Sequence, residues 1–263
     1  MNKFEANQNA RCARLAALHA PDQAAWVLAN AWDRGSAAAL EACGFEALAT
    51  TSAGFAETLG KADGAVSLEE KLQHCEDIAG ATSLPVSVDF EDGFGDDPEA
   101  VAANLKRLGE TGVAGASIED YSRAGGHIFE PSLALERVHA AVEATTALAP
   151  NFQLTARADG LIRRSGSFEE VLARLVGFAE AGAPVVYAPG LATLEQVQTV
   201  ASSVNVAVNV LGPLVKDATV ADLGAAGARR VSLGSALQAY LARRLKEATD
   251  EMTGPGGFSW FWR

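Results

Sequence analysis

Residues 84–95 read Leu-Pro-Val-Ser-Val-Asp-Phe-Glu-Asp-Gly-Phe-Gly, an apolar run that ends in a cluster of acids and glycines. The part from Leu84 to Val88 is apolar and β-branched, which is typical of a buried strand. A helical pattern follows from Pro98 to Glu110, and Asp97 before Pro98 is a usual helix start. The stretch therefore predicts one structural unit, which is a short strand, a polar turn and an amphipathic helix.

The same unit recurs along the chain, and we count eight copies of it. The predicted strands are Ala25–Trp32, Ala47–Ser52, Leu84–Phe90, Gly115–Glu119, Phe152–Arg157, Pro184–Ala188, Val206–Leu211 and Arg230–Leu233. The predicted helices are Ser36–Cys43, Ser67–Ala79, Pro98–Glu110, Leu133–Ala147, Phe168–Ala181, Leu194–Ser203, Val220–Ala226 and Ala236–Glu251. Eight such units in about 250 residues are typical of an α/β TIM barrel, (β/α)8, whose functional residues lie on the loops after the strands. A doubly wound open sheet is the alternative, although no GxGxxG motif follows the first strand.

The two ends of the chain predict additions to this barrel. The N-terminal segment from Phe4 to Ala20 has a helical pattern, and we expect an extra helix that closes the barrel bottom. The C-terminal tail, residues 254–263, carries Trp260, Phe261 and Trp262 beyond the last predicted helix. Large aromatic side chains are costly to expose, so the tail is expected to pack on the barrel or on another subunit.

Composition narrows the class of protein. The chain has 263 residues, of which 49% are hydrophobic, and this fits a single domain over residues 1–263. The net charge of -12 and the lack of a basic run argue against nucleic acid or an anionic membrane as a partner. Cys12, Cys43 and Cys75 have no metal-ligand spacing and are interpreted as reduced core thiols. No apolar run reaches the ~20 residues of a membrane span, so a cytoplasmic enzyme is expected.

Acidic residues follow two neighbouring predicted strands. Asp89 and Glu91 are two residues apart, and side chains at that spacing point to the same face of a strand. Glu119 ends the next strand, which would lie only ~5 Å away, so it can join the pair. Carboxylates this close repel one another unless some are protonated or a cation lies among them. The pattern predicts a site for a hard divalent cation with oxygen ligands.

The order of motifs resembles the isocitrate lyase/phosphoenolpyruvate mutase superfamily. The matching motifs are Asn30-Ala31-Trp32-Asp33, Thr51-Ser52-Ala53-Gly54, Asp63-Gly64, Asp89 to Gly95, Gly112 to Asp120, Thr155 to Asp159 and Asn209-Val210. The resemblance covers nearly the whole chain and implies a (β/α)8 barrel, commonly assembled as a homotetramer with the last helix exchanged between subunits. It also implies Mg²⁺, which Mn²⁺ could replace, and a small 2-oxo acid or dicarboxylate substrate that reacts through an enolate.

The resemblance assigns roles to individual residues. The metal-binding residues would be Asp89, Glu91, Glu119 (partly through water) and Asp63. The substrate-binding residues would be Trp32, Ser52, Ala53, Gly54, Asp89, Arg157 and Asn209. The catalytic residues would be Arg157, His127 and Glu119. Arg157 could instead only pair with Asp159, and His127 could be either a general acid or a loop-closing hydrogen-bond donor.

One loop departs from the superfamily pattern. Isocitrate and methylisocitrate lyases carry a Cys before the Gly-His of this loop, taken as the proton donor, but the residue here is Gly125 before Gly126-His127. The mutases use an Asn in the corresponding loop, and no Asn occurs between Asp120 and Pro150. The chain is therefore interpreted as a member of a subgroup that lacks the lyase Cys.

Three functions remain open at this point. The first is a Mg²⁺-dependent carbon–carbon lyase acting on a small 2-oxo or 2-hydroxy di- or tricarboxylate, similar to an oxaloacetate decarboxylase or a methylisocitrate lyase. Oxaloacetate decarboxylation suits the missing Cys best, because carbon dioxide leaves without a proton donor. The second is a phosphoenolpyruvate or carboxyphosphonoenolpyruvate mutase, and the third is a 2-oxo acid binding protein without catalysis.

Overall fold

Eight parallel strands close into a barrel in the computed structural model, which describes residues 3–262. The strands are β1 (Trp26–Ala31), β2 (Leu48–Thr50), β3 (Val86–Asp89), β4 (Gly115–Glu119), β5 (Tyr121–Ser122), β6 (His127–Ile128), β7 (Gln153–Arg157), β8 (Val185–Tyr187), β9 (Ala207–Leu211) and β10 (Arg230–Ser232). Around the barrel the order is β1, β2, β3, β4, β7, β8, β9 and β10, while β5 and β6 form a separate antiparallel hairpin. Because β10 pairs in parallel with β1, the barrel prediction is confirmed and the open sheet is excluded.

Helices surround the barrel. They are α1 (Lys3–Leu18), α2 (Arg34–Ala42), α3 (Ser52–Thr58), α4 (Leu68–Ala81), α5 (Pro98–Gly109), α6 (Pro131–Leu148), α7 (Phe168–Glu180), α8 (Leu194–Ser203), α9 (Val220–Ala225) and α10 (Ala236–Thr253). Ser67 and Ser167 cap α4 and α7 by accepting backbone hydrogen bonds. The sequence patterns did not predict α3 or the β5–β6 hairpin, because both are too short to show a periodicity.

The N-terminal helix lies where the sequence predicted it. Cys12 and Leu15 on α1 are fully buried, and the amide of Gln8 donates hydrogen bonds to the carbonyls of Gly109 and Val113. His19, just after α1, makes an edge-to-face contact with Trp26 at the start of β1. These contacts are all made at the amino ends of the strands, so α1 closes the barrel bottom.

The last helix and the tail are exposed on the described chain. No residue of α10 is buried, and Leu241 and Leu245 are exposed. In the tail, Phe261 is 66% exposed and Trp262 is 83% exposed, so packing on its own barrel is wrong for the described residues. The alternative, packing on another subunit, stays a prediction, and Arg263 lies outside the described residues.

The three cysteines differ in their exposure to solvent. All three cysteines are free, but Cys43 is exposed, so its predicted core position is wrong, whereas Cys12 and Cys75 are buried as expected. Among the described residues, no helix is long and apolar enough to cross a lipid bilayer.

Candidate active site

Asp89 ends β3 at the carboxyl end of the barrel. Its backbone N–H donates to Thr50 Oγ1 at 3.0 Å, and its Oδ2 accepts the backbone N–H of Ser52 at 3.1 Å. The other oxygen, Oδ1, lies 3.6 Å from Arg157 Nη1, is buried and accepts no hydrogen bond. Burial alone would raise the pKa of Asp89, but Arg157, Lys71 and Ser52 outweigh it, and the pKa is lowered. Asp89 is therefore an ionised carboxylate with one oxygen available to a cation.

Glu91 reaches the same region through a turn rather than along the strand. The strand ends at Asp89, and Glu91 has a left-handed backbone with φ of 51°. Such a conformation costs a non-glycine residue about 1–2 kcal/mol, and it is held by a 2.8 Å hydrogen bond from Glu119 N to the Glu91 carbonyl. The predicted strand alternation is thus wrong at this point, although Lys71 on α4 contacts both acids.

A buried lysine accompanies Glu91. Lys71 on α4 is fully buried, and its Nζ lies 3.3 Å from Glu91 Oε1 and donates to the Asp89 carbonyl at 3.1 Å. On the other side, Arg123 Nε lies 2.8 Å from Glu91 Oε2. Burial raises the pKa of Glu91, with the two cations opposing the shift. The sequence reasoning missed Lys71, although a lysine on the apolar face of α4, one turn before the buried Cys75, was a usable signal.

Arg157 ends β7 and contacts three carboxylates. Its Nε and Nη2 bind Asp159 at 2.5 and 2.8 Å, Nη2 lies 3.1 Å from Glu119 Oε2, and Nη1 faces Asp89. Burial would lower the pKa of Arg157, but these acids raise it well above its ordinary value. The pairing with Asp159 is therefore confirmed, and the contact of Arg157 with a substrate stays a prediction.

Glu119 lies between two arginines in a buried position. Its Oε2 faces Arg157, and its Oε1 lies 3.7 Å from Arg163 Nη2. Burial is the main cause that raises the pKa of Glu119 to about 8, and the nearby Asp159 and Asp89 add to the shift while the arginines oppose it. Register explains the first contact, because Glu119 and Arg157 are direct partners across β4 and β7.

The β5–β6 hairpin covers the site. Arg123, from this hairpin, donates to the carbonyls of Gly64 and Val66 and stacks over Phe94 with 4.5 Å to the ring centroid. Ser122 Oγ donates to Asp96 at 2.9 Å, which fixes the base of the hairpin to the loop after β3. These contacts fix the hairpin to the loop before α4 and to the loop after β3, and they were not visible in the sequence.

The site forms a polar cavity of about 200 Å³. Its lining residues are Ser52, Asp63, Gly64, Glu91, Glu119, Tyr121, Arg123, Arg157 and Arg163. Of the residues singled out from the sequence, the cavity brings together Ser52, Asp63, Glu91, Glu119 and Arg157. Asp89 does not line it, but its Oδ1 lies 3.6 Å from Nη1 of Arg157, which does.

The other residues singled out from the sequence do not line this cavity. His127 is exposed on the hairpin, with its ring against Phe129. Asn209 is buried inside the barrel, where its amide accepts from Arg230 Nε at 2.8 Å and donates to Ser232 Oγ at 2.9 Å. Trp32, Ala53 and Gly54 surround the start of α3, where a Cβ on Gly54 would lie 3.0 Å from Trp32 Cβ. The catalytic role of His127 and the substrate contacts of Asn209, Trp32, Ala53 and Gly54 stay predictions.

A family comparison decides the identity of this barrel. The family model described as phosphoenolpyruvate phosphomutase matches residues 15–253. The chain belongs to this family. It is thereby a member of the isocitrate lyase/phosphoenolpyruvate mutase superfamily, a group of lyases and mutases, as the motifs indicated.

Two curated relatives and two solved structures show the range of this superfamily around the chain. The uncharacterized protein Rv1998c of Mycobacterium tuberculosis is 33% identical over 216 residues, covering 80% of this chain and 78% of that protein. The 2-methylisocitrate lyase of Halalkalibacterium halodurans is 28% identical over 202 residues, covering 75% and 64%. A structure from Burkholderia cenocepacia J2315, described as a candidate lyase or mutase, has a TM-score of 0.92 and 38% identity over 97% of this chain and 92% of that one. Oxaloacetate acetylhydrolase in complex with oxalate has a TM-score of 0.85 and 25% identity, covering 97% and 89%.

Phosphoenolpyruvate mutase superfamily members generally depend on Mg²⁺, so the fit of this site to a cation can be tested. Within residues 3–262 no three His, Cys, Asp or Glu side chains come together as a ready metal site, because Arg157 lies between Asp89 and Glu119. A cation site shared by all three acids therefore stays a prediction. Asp89 Oδ1 and Glu91 Oε1 are nevertheless buried and accept no hydrogen bond. Two such carboxylate oxygens fit a hard cation, which usually completes its shell with water.

Proposed function

We propose that this chain is a Mg²⁺-dependent carbon–carbon lyase acting on a small 2-oxo or 2-hydroxy dicarboxylate. The observation that carries the proposal is the pair of buried carboxylate oxygens, Asp89 Oδ1 and Glu91 Oε1, which accept no hydrogen bond and are ion-paired with Arg157 and Lys71 beside a polar cavity. The relatives named above support the proposal, because they include a 2-methylisocitrate lyase and an oxaloacetate acetylhydrolase.

Each residue has a distinct role in this proposal. Asp89 and Glu91 would hold the cation, with Glu119 bound through water, and the bound cation would offset negative charge on the substrate's 2-oxygen as a Lewis acid. Arg157 holds the substrate carboxylate with Nη1, the part of its guanidinium that faces Asp89. Asp159 fixes Arg157 from behind with two hydrogen bonds, so the donor is positioned before the substrate binds.

The hairpin favours one reaction among those of the superfamily. Gly125 occupies the place of the lyase Cys, so the hairpin offers no thiol at this position. Loss of carbon dioxide from a 2-oxo dicarboxylate needs no proton donor for bond cleavage, and water can protonate the enolate afterwards. Oxaloacetate decarboxylation is therefore the reaction that this site fits best.

Substrate assays with one site variant test the proposal. We expect turnover of oxaloacetate with Mg²⁺, and loss of it when Mg²⁺ is removed or in the Asp89→Ala variant. The control is Asp77→Ala, which removes an exposed acid whose one recorded contact among the described residues is Arg34 at 3.5 Å. Methylisocitrate, isocitrate and phosphonopyruvate are assayed in parallel.

The outcomes separate the candidate functions. Turnover of phosphonopyruvate alone would replace the lyase by a mutase. Mg²⁺-dependent binding of a 2-oxo acid without turnover of any of the four compounds would indicate a non-catalytic binding protein. Near-normal turnover in Asp89→Ala would remove Asp89 from the site.

The exposed last helix, α10, is the proposed site of assembly between subunits. The apolar residues Leu241 and Leu245 on α10 have no partner that buries them within the described chain. Because exposed apolar side chains in a row mark interaction surfaces, we infer that α10 packs on a second copy of this chain in a homo-oligomer.

A further inference from the structure

Arg163 lies at the rim of the cavity and has no role in the proposed reaction as described above. It follows β7 in the loop before α7, lines the cavity and is 40% exposed. Its guanidinium stacks on the Tyr121 ring, with 3.8 Å to the centroid, and its Nε lies 3.3 Å from Asp159 Oδ2. The side chain is therefore fixed from two sides while one edge of the guanidinium faces the cavity.

The terminal nitrogens of Arg163 are uncommitted, which sets it apart from Arg157. Nη2 of Arg163 lies 3.7 Å from Glu119 Oε1, too far for a hydrogen bond, and neither Nη1 nor Nη2 donates to any described residue. Arg157, in contrast, donates to Asp159 through Nε and Nη2. Arginine presents its terminal N–H groups as a planar fork that matches a carboxylate. Arg163 keeps that fork available.

The two arginines are spaced by a single carboxylate. Glu119 has Arg157 on its Oε2 side and Arg163 on its Oε1 side, and all three residues line the same cavity. Two guanidinium groups that flank one carboxylate suit two acid groups on a short carbon chain. A longer or singly charged acid would leave one of them unpaired.

We propose that Arg163 binds the second carboxylate of the substrate and so selects short dicarboxylates over monocarboxylates. The inference rests on the proposed function, in which Arg157 holds the first carboxylate. Tyr121 acts as a positioning residue, because its ring holds the guanidinium plane against the cavity.

Binding of two matched ligands tests this proposal without relying on turnover. Malate and 2-hydroxybutyrate are both four-carbon 2-hydroxy acids, and they differ in the second carboxylate. Calorimetric titrations with Mg²⁺ would compare the unmodified chain with Arg163→Gln, and each malate enantiomer would be used. The control is Arg164→Gln, which removes the same charge from the adjacent, exposed position.

We expect Arg163→Gln to weaken malate binding about 10- to 100-fold, the range for one charge-assisted hydrogen-bonded contact, and to leave 2-hydroxybutyrate binding unchanged. Arg163→Lys should fall between the two, because it keeps the charge and loses the fork. Arg164→Gln should bind both ligands as the unmodified chain does.

Two results would overturn the proposal, and they are distinguishable. If Arg163→Gln keeps its preference for malate, or weakens both ligands equally, Arg163 does not read the second carboxylate, while the proposed lyase stands. If the unmodified chain binds neither ligand with Mg²⁺ but turns over oxaloacetate, this inference fails alone; if it neither binds these ligands nor turns over oxaloacetate, the proposed function fails with it.

Discussion

Replacing Lys71 by methionine removes a buried charge from the candidate site while keeping its volume. Lys71 is fully buried, its Nζ lies 3.3 Å from Glu91 Oε1, and the Asp89 carbonyl is its other acceptor. The Lys71→Met variant leaves Glu91 with Arg123 as its remaining cation. We therefore expect both a loss of stability and a more strongly raised pKa of Glu91.

The size of the effect follows from the geometry. Unit charges 3.3 Å apart attract with about 5 kcal/mol at an effective dielectric constant of about 20, a gross value before desolvation. Breaking a buried pair by removing one partner costs about 3–5 kcal/mol, because the other charge stays buried. The free energy of unfolding should fall by about 3 kcal/mol, the lower end of that range, since Arg123 still contacts Glu91.

Urea unfolding followed by tryptophan fluorescence measures this change, at one protein concentration for all variants. The control is Lys61→Met, because Lys61 pairs with Glu70 while both side chains are 36% exposed, and its midpoint should hardly move. Combining Lys71→Met with Glu91→Gln should cost less than the sum of the two single changes, since no unpaired carboxylate remains. A loss below about 1 kcal/mol in Lys71→Met, equal to that of an exposed pair, would refute the buried ion pair.

Two further predictions concern pH and assembly. Burial, aided by Arg230 and Lys71 respectively, lowers the pKa of His19 and of His74 to about 3, so both are neutral in the folded chain. Because the unfolded chain takes up protons near pH 6.5, the two histidines should together cost roughly 2–3 kcal/mol of stability between pH 7 and pH 5.5, while the raised pKa of Glu119 acts in the opposite direction. Comparison with the His19→Gln/His74→Gln double variant isolates the histidine share, and an equal pH dependence of the urea midpoint in both chains would contradict the neutral histidines. Changing Leu241 and Leu245 to Glu should convert the proposed homo-oligomer to monomer in sedimentation velocity without unfolding it, because neither residue is buried in its own chain, and a sedimentation coefficient that stays at the oligomer value would place the interface elsewhere.

The fold was predictable because its signals are local. Short apolar strands, helix caps such as Ser67 and Ser167, and the regular alternation of elements each depend on a few neighbouring residues. The strand ends were predictable for the same reason, and in a parallel barrel all of them meet at one face. Asp89, Glu119 and Arg157 each end a strand, so the sequence alone predicts that they share one site.

The remaining parts of the site depend on contacts between residues far apart in the chain. Lys71 reaches Glu91 from a separate helix, and Arg123 reaches it from a hairpin with no sequence periodicity. The resemblance placed Asn209 at the substrate, a contact that stays a prediction, and the structure shows Asn209 in the middle of β9 with both ends of its amide engaged by Arg230 and Ser232 on the next strand. Side-chain partners of this kind follow from register and packing, which no local pattern encodes.

The sequence by itself determined the barrel, the family and the acids at the ends of β3 and β4, because the repeat of strand and helix and the order of the motifs are properties of the chain alone. Only the tertiary structure decided how those acids are paired. It set Arg157 between Asp89 and Glu119, turned Glu91 through a left-handed residue toward Lys71, and left Arg163 with an open fork at the rim. The physical reason is that an ionic interaction depends on distance and burial, and both are fixed only when the barrel closes.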